Sequence, residues 1–283
     1  MNKTITQWLD EAQTQLTEAG ITSARLDAEL LLAHTLRKPR TFLHGHGEEQ
    51  LDARQLEIAH ARLNLRLDRV PIAYIIGHKE FYGRQFKVTT ATLIPRPESE
   101  DLIDLFKQAL PKNASLLAEK PLEVVDVGTG SGCLGITAKL EADQANVATE
   151  VTLLDTSRHA LNVAKENATK LQATTNTAQS DLLTNFTGVA DIIIANLPYV
   201  DPDWQRSPET NHEPAEALFA KNNGLALIFE LIAQTKTKLA LGGGLILEAD
   251  PEQHPAIQTE ANKHGLALDK IEGYGLLFNK LSQ

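Results

Sequence analysis

Val124-Val125-Asp126-Val127-Gly128-Thr129-Gly130-Ser131-Gly132-Cys133-Leu134-Gly135 is the stretch that decides the fold. Its apolar start reads as a buried strand, its glycines as a turn, and the residues from Cys133 as the opening of a helix. Glycine permits positive φ and lets a ligand reach the backbone with no Cβ in the way. The amide N–H groups at the helix start then face that ligand. A plain turn explains a lone glycine motif equally well, but here the next strand ends on Asp155. A carboxylate at that position can accept hydrogen bonds from two ribose hydroxyls; the competing role is to cap a helix beginning near Ser157.

Working outward, strand and helix alternate. Strands are expected at Leu122–Val127, Val151–Asp155, Asp191–Asn196 and Gly244–Glu248, with others near Thr177–Ser180, Leu266–Ile271 and Leu276–Leu281. Helices fit Cys133–Leu140, Arg158–Leu171, Gly224–Lys238 and Glu252–His264. Short apolar strands separated by helices predict an α/β fold, a doubly wound and mostly parallel sheet of seven strands covered on both faces. Its binding crevice lies at the carboxyl ends of the strands.

The first 75 or so residues read differently, as a small helical bundle. Thr4 and Gln7 fit a capping box ahead of Ile5, Trp8, Leu9, Ala12 and Leu16 at helical spacing, with Gly20 as the stop. Ser23 is placed to cap a second helix, which ends before Lys38-Pro39. A third follows Asp52: Leu56, Ala59, Leu63, Leu67 and Val70 fall within an arc of about 80°. Arg54, Arg62, Arg66 and Arg69 fall opposite, as a basic outer face that is either simply solvated or a macromolecular contact. From residue 76 to 98 a linker is expected, with a β-hairpin turning near Gly83 and an extended Leu93-Ile94-Pro95-Arg96-Pro97. The organisation is thus a helical domain over 1–75, a hairpin linker over 76–98 and the sheet domain over 99–283.

The strand Asp191–Asn196 stops at Asn196-Leu197-Pro198-Tyr199. This tetrapeptide brings a carboxamide, a backbone carbonyl and an aromatic face to one sheet edge, the parts needed to hold a planar NH2 group by both hydrogens. Asn196 Oδ1 and the Leu197 carbonyl are expected to accept those hydrogens while Tyr199 stacks on the plane; a strand end followed by a proline turn is the alternative. Such a grip suits methyl transfer to an amide or amino nitrogen. Alignment supplies most of the acceleration, for which effective molarities reach roughly 10⁵ M or more. The leaving group is a neutral thioether, so no metal is expected.

The turn also contains Gly130-x-Gly132-x-x-Gly135, with Asp155 twenty residues further on, the spacing of a dinucleotide site. S-Adenosylmethionine fits better on two counts. Asp126 precedes Gly128 in an Asp-x-Gly-x-Gly-x-Gly series, where it either orders the turn or reaches the amino-acid end of the cofactor. The tetrapeptide has no evident use in hydride transfer. Ser180-Asp181-Leu182 then flanks the adenine, with Asp181 accepting from its amino group and Leu182 covering the ring.

Composition narrows the classes. The chain has 283 residues, 42% hydrophobic and 23% charged, enough for a full α/β domain and a smaller one. Its start, Met1-Asn2-Lys3-Thr4-Ile5-Thr6-Gln7, has no signal-peptide core, its apolar runs are short of a membrane span, and Cys133 is its single cysteine. A cytoplasmic protein without a membrane partner is the expectation. A net charge of −10 argues against broad nucleic-acid contact and hence against an adenine-specific DNA methyltransferase that would use the same tetrapeptide logic. His44 and His46, in Leu43-His44-Gly45-His46-Gly47, have no Cys partners or His-Glu-x-x-His motif and read as a solvated loop. Cys133 reads as a small packing residue.

Taken together, these features resemble the protein-glutamine methyltransferase family, and most of all its members that act on class I peptide chain release factors. The resemblance runs through nearly the whole chain, including Ile94-Pro95-Arg96-Pro97-Glu98-Ser99, Glu213-Pro214 and Ala217-Leu218. It implies a class I methyltransferase domain of Rossmann-like fold. It also implies S-adenosylmethionine as cofactor, leaving as S-adenosylhomocysteine, and the glutamine of a Gly-Gly-Gln loop as substrate. By position, Gly128, Thr129, Gly130, Ser131, Gly132, Asp155 and Leu182 would hold the cofactor, and Asn196, Leu197, Pro198 and Tyr199 the glutamine. The family usually has Asn-Pro-Pro-Tyr; here Leu197 replaces the first proline, which keeps the carbonyl and gives up the φ restraint.

Overall fold

The computed structural model describes residues 3–111, 120–201 and 203–281. They form two compact units, Met1–His78 with Arg206–His212, and Lys79–Gln205 with Glu213–Gln283.

The first unit is helical: α1 (Ile5–Glu18), α2 (Ala24–Leu36), α3 (Arg40–Gly45), α4 (Ala53–Leu67) and α5 (Ile72–Ile76). Two short strands, β1 (Lys3–Thr4) and β2 (Gln50–Leu51), pair antiparallel. Both halves of the Thr4 box form: Thr4 Oγ1 accepts from the Gln7 N–H at 3.2 Å and Gln7 Oε1 from the Thr4 N–H at 3.0 Å. Asp52 and Gln55 make the same reciprocal pair ahead of α4. Ser23 precedes α2 but makes no side-chain cap bond. Trp8, Leu16, Leu31, Leu32 and Leu63 fill the core.

Two readings of this unit need correction. Leu43 to Gly45, expected in a loop, form the end of helix α3, which starts after Pro39, whose angles are extended (φ −66°, ψ 154°) and whose carbonyl accepts from the Phe42 N–H. His46 stacks on Phe42 with ring centroids 3.8 Å apart. The arginine face of α4 is not all solvated. Arg66 is 6% exposed and donates to Asp27 at 2.7 Å and Glu209 at 3.0 Å, while Arg69 also reaches Glu209. At 100° per residue Arg66 in fact falls about 60° from the middle of the apolar stripe, at its border rather than opposite it, and two carboxylates from distant segments close over it.

The second unit opens with the hairpin of β3 (His78–Phe81) and β4 (Arg84–Lys87), turning through Tyr82 and Gly83 at φ 50° and 73°. Helix α6 (Glu100–Ala109) follows, then β5 (Leu122–Val127), α7 (Cys133–Gln144), β6 (Thr149–Asp155), α8 (Arg158–Leu171), β7 (Asn176–Gln179) and β8 (Ala190–Ala195). The chain finishes with α9 (Ala226–Lys238), β9 (Leu239–Glu248), α10 (His254–Lys263), β10 (Leu266–Glu272) and β11 (Gly275–Lys280). The sheet order is β10-β11-β9-β8-β5-β6-β7. The five central and distal strands run parallel, and β11 lies antiparallel to both β9 and β10.

Alternate residues of each strand point to opposite faces, and both faces are apolar. Val124, Leu153, Ile192, Ile194 and Ile246 meet α6, α7 and α8 through Leu102, Phe106, Ile136 and Ala164. Val125, Val127, Ile193, Leu245 and Leu247 meet α9 and α10 through Ile228, Leu231, Ile232 and Ile257. The expected doubly wound seven-stranded sheet is therefore the one found. Strand β9 starts five residues earlier than expected, running through Gly242-Gly243-Gly244 behind a register shift opposite Ala190/Ile192. Among the described residues, no helix is long and apolar enough to cross a membrane.

Candidate active site

From β5 the chain winds outward through β6 and β7, then returns to β8 on the opposite side of β5. The crevice of a doubly wound sheet opens where the strand order reverses in this way. Register pairs Val127 of β5 with Ala195 of β8, so the glycine turn and the tetrapeptide leave the sheet side by side. A cavity of about 200 Å³ lies there. Its wall includes Gly128 to Ser131, Asp155, Asp181, Leu182 and Asn196 to Pro198.

Each glycine of the turn faces a different neighbour. A Cβ on Gly132 would meet Ile136 Cδ1 at 2.6 Å and Ala164 Cβ at 3.2 Å, so this position packs the turn on α7 and α8. Gly135 brings α7 down on β5: its Cβ would lie 2.8 Å from that of Asp126. Gly130 has φ 54°, and nothing stands within 4 Å of where its Cβ would be. Its space opens on the cavity.

Asp126 sits beneath the turn and is fully buried. Its Oδ2 accepts from Thr129 Oγ1 at 2.5 Å and from the Gly135 N–H at 2.8 Å. It does not line the cavity, so of its two expected roles the geometry displays the ordering of the turn. Burial pushes its pKa up to about 6, against the pull of these two donors. Thr129 holds the turn further by donating its N–H to Leu154 O at 2.8 Å.

Asp155 holds two backbone N–H groups at the edge of the cavity. Its Oδ2 accepts from the Gly130 N–H at 2.9 Å and its Oδ1 from the Ser157 N–H at 2.8 Å, while the carboxylate lines the cavity. The cap of α8 itself is Ser157, whose side chain accepts from the Ala160 N–H. Burial raises the pKa of Asp155, with the backbone donors opposing. Leu182 takes φ 47° and is buried at the wall; Asp181 beside it is exposed. The Cys133 thiol is pushed up to about 12 by desolvation, which keeps it protonated and out of nucleophilic chemistry.

In the tetrapeptide, Asn196 Nδ2 donates to Ser99 Oγ at 3.0 Å, leaving Oδ1 as the acceptor end. The Tyr199 hydroxyl donates to Glu248 Oε1 at 3.0 Å. Its carbonyl accepts from Gln253 Nε2 at 3.0 Å and is crowded by Gly224, where a Cβ would come within 1.9 Å. Burial raises the pKa of the Tyr199 phenol, as does the adjacent Glu248 charge.

Residues 7–77 match the family model of the PrmC N-terminal domain, and residues 99–262 that of the methyltransferase small domain. The release factor glutamine methyltransferase of Deinococcus radiodurans is 35% identical, over 91% of this chain and 90% of that protein. The enzyme of the same name from Escherichia coli is 35% identical, over 89% and 87%. The chain belongs to this family. It is an S-adenosylmethionine-dependent methyltransferase. In fold it is similar to the Thermus thermophilus 16S rRNA N2 G1207 methyltransferase solved with AdoMet and guanosine. That likeness covers 72% of this chain and 50% of the other, at TM-score 0.50 and 16% identity.

The cavity fits the family's cofactor. Ser131 Oγ is buried at its wall with no hydrogen-bond partner, and open space lies over Gly130. The Asp155 carboxylate stands nearby with lone pairs beyond those its two backbone donors use.

Four residues around this family site escape a reading of the sequence: Ser99, Gly224, Glu248 and Gln253. Each meets the tetrapeptide from a distant part of the chain. Glu213 is another, 7% exposed, accepting from the Ile94 N–H at 3.1 Å and pairing with Arg96. That pair links two of the motifs that carry the family resemblance.

Proposed function

We propose that the protein methylates the side-chain amide nitrogen of the glutamine in the Gly-Gly-Gln motif of class I peptide chain release factors. The observation that carries this reading is the state of Asn196. Its NH2 end is committed to Ser99, which leaves a carbonyl oxygen to accept from a substrate amide beside the glycine turn.

An amide nitrogen is a poor nucleophile because its lone pair is delocalised into its carbonyl. Asn196 Oδ1 and the Leu197 carbonyl accept its two hydrogens and fix the nitrogen's direction. The Tyr199 ring covers the amide plane. S-Adenosylmethionine supplies the electrophilic methyl. Gly128, Thr129, Gly130, Ser131, Gly132, Asp155, Asp181 and Leu182 would hold it, with Asp126 acting through the turn it orders. Alignment of this kind is worth several kcal/mol of barrier, about 7 or more at its best. The helical unit provides further contact with the protein substrate, and the reaction belongs in the cytoplasm, where release factors work.

The test is incubation with a release factor and isotopically labelled S-adenosylmethionine, followed by mapping of the label. A single methyl on the Gly-Gly-Gln glutamine is expected. Label absent from that residue, or incorporated instead into a ribosomal protein or duplex DNA, rejects the reading.

A further inference from the structure

Strand register sets Glu248 beside the reactive tetrapeptide. Ala195 pairs with Leu247 across parallel β8 and β9, so Asn196 and Glu248 emerge together at the carboxyl edge. Glu248 is 1% exposed. Tyr199 donates to its Oε1, whereas its Oε2 has no hydrogen-bond partner in good geometry. Burial raises its pKa, and the side chains of Ser99, Tyr199 and Asn196 favour its charged form.

We propose that Glu248 is a positioning residue that determines which end of the Asn196 carboxamide is offered to the substrate. The inference rests on the reading of Asn196 as the acceptor for the substrate amide. Shape alone does not choose between the two ends, because the oxygen and NH2 of a carboxamide are nearly isosteric. Donor and acceptor bookkeeping does. An ionised carboxylate only accepts, so each polar neighbour must turn a donor toward it. The Tyr199 hydroxyl does so directly. Ser99 has one proton; directed at Glu248, it leaves only lone pairs for Asn196. Asn196 must then approach Ser99 with Nδ2, as it does at 3.0 Å, and Oδ1 is left for the incoming NH2 group. Were residue 248 able to donate, Ser99 could spend its proton on Asn196 Oδ1. The carboxamide would turn over, and its NH2 would meet the substrate's NH2.

The experiment compares steady-state methylation of a release factor by four variants of the full chain, with S-adenosylmethionine affinity measured by calorimetry. Glu248→Gln introduces a donor in the same volume. It is expected to lower kcat at least about 10-fold while the KM for the release factor and the cofactor affinity stay within about threefold. Ser99→Ala should lose a similar factor, and Ser99→Thr, which keeps the hydroxyl, should recover most of it. Asn196→Ala reports on the underlying reading and should abolish turnover. Glu248→Gln within twofold of the parent kcat, with Asn196→Ala inactive, overturns the role of Glu248 alone. Turnover surviving in Asn196→Ala overturns the reading beneath it. If Glu248→Gln fails to bind cofactor, the serine pair decides: a Ser99→Ala loss that threonine does not restore rejects the proposal.

Discussion

Gly128 and Leu197 face each other across the carboxyl edge of the sheet: a Cβ on Gly128 would stand 3.1 Å from Leu197 Cδ2. The contact couples the turn after β5 to the tetrapeptide after β8. Leu197 is 4% exposed and packs among the residues beneath α9, so its side chain fills space at the position where the family usually has proline. Leu197→Pro preserves the carbonyl that the proposed chemistry uses. It is expected to keep methyl transfer within about threefold and to lower Tm by about 2–4 °C, or roughly 1 kcal/mol, through lost packing. Thermal denaturation and a methylation assay on the same preparation check both halves. Gly128→Ala, at φ 72°, should cost more on both counts.

Gly130→Ala separates cofactor space from fold. The new methyl meets no protein atom within 4 Å, and left-handed backbone for alanine costs about 1–2 kcal/mol. S-Adenosylmethionine affinity should fall at least about 10-fold, since the methyl enters the space proposed for the cofactor. In Gly132→Ala the methyl strikes Ile136 and Ala164 instead, so stability should drop further than in Gly130→Ala. Calorimetric titration beside melting curves distinguishes the two.

Asp126 gives the stability a specific pH signature. Its folded pKa of about 6 lies above its ordinary value near 3.8, so the folded state binds the proton more tightly. Stability therefore falls as pH rises between those values and levels above about 6, by an amount on the order of 3 kcal/mol from this group. Asp126→Asn still accepts from Thr129 and Gly135 through its carbonyl oxygen. Denaturant unfolding from pH 4 to 7 should show a shallower decline in the variant than in the parent. Parallel curves would remove Asp126 as the source.

Arg96 and Glu213 are unequal partners. The Glu213 side chain is 2% exposed and that of Arg96 35%. Removing Arg96 strands a buried carboxylate, which typically costs about 3 kcal/mol or more. Removing Glu213 lets Arg96 turn to solvent and chiefly orphans the Ile94 N–H, at about 1–3 kcal/mol. Arg96→Ala should thus be more damaging than Glu213→Ala, and a double-mutant cycle by urea unfolding measures the difference.

The parts that local pattern controls were legible in the sequence. Strand β5 and helix α8 begin and end where apolar spacing and the flanking glycines or Ser157 put them, and the Thr4 box closes as its spacing requires. The parts set by distant segments were not. Glu248 reads as the end of an apolar run until β8 and β9 are laid in register. Ser99 stands just ahead of α6 without capping it, and its hydroxyl instead engages Asn196. Arg66 borders the apolar stripe of α4 rather than facing away from it, and only the folded chain brings Asp27 and Glu209 over it. Even Asp155, weighed between ligand and cap, holds the backbone of Gly130 and Ser157 while lining the cavity. A motif scores each side chain once, whereas a carboxylate has lone pairs for several tasks.

The helical unit draws Arg206–His212 from far along the chain, and with it Glu209, whose pKa is lowered to about 2, against the effect of burial, by Ser207, its own backbone N–H and Arg66. A fragment severed after His78 would therefore be an unfinished object. Its Arg66 guanidinium would lose one of its two counter-ions, and acid would no longer find Glu209 there to neutralise. Neither genetic excision nor a protease cut at that point would release this body intact, because the polypeptide visits it twice.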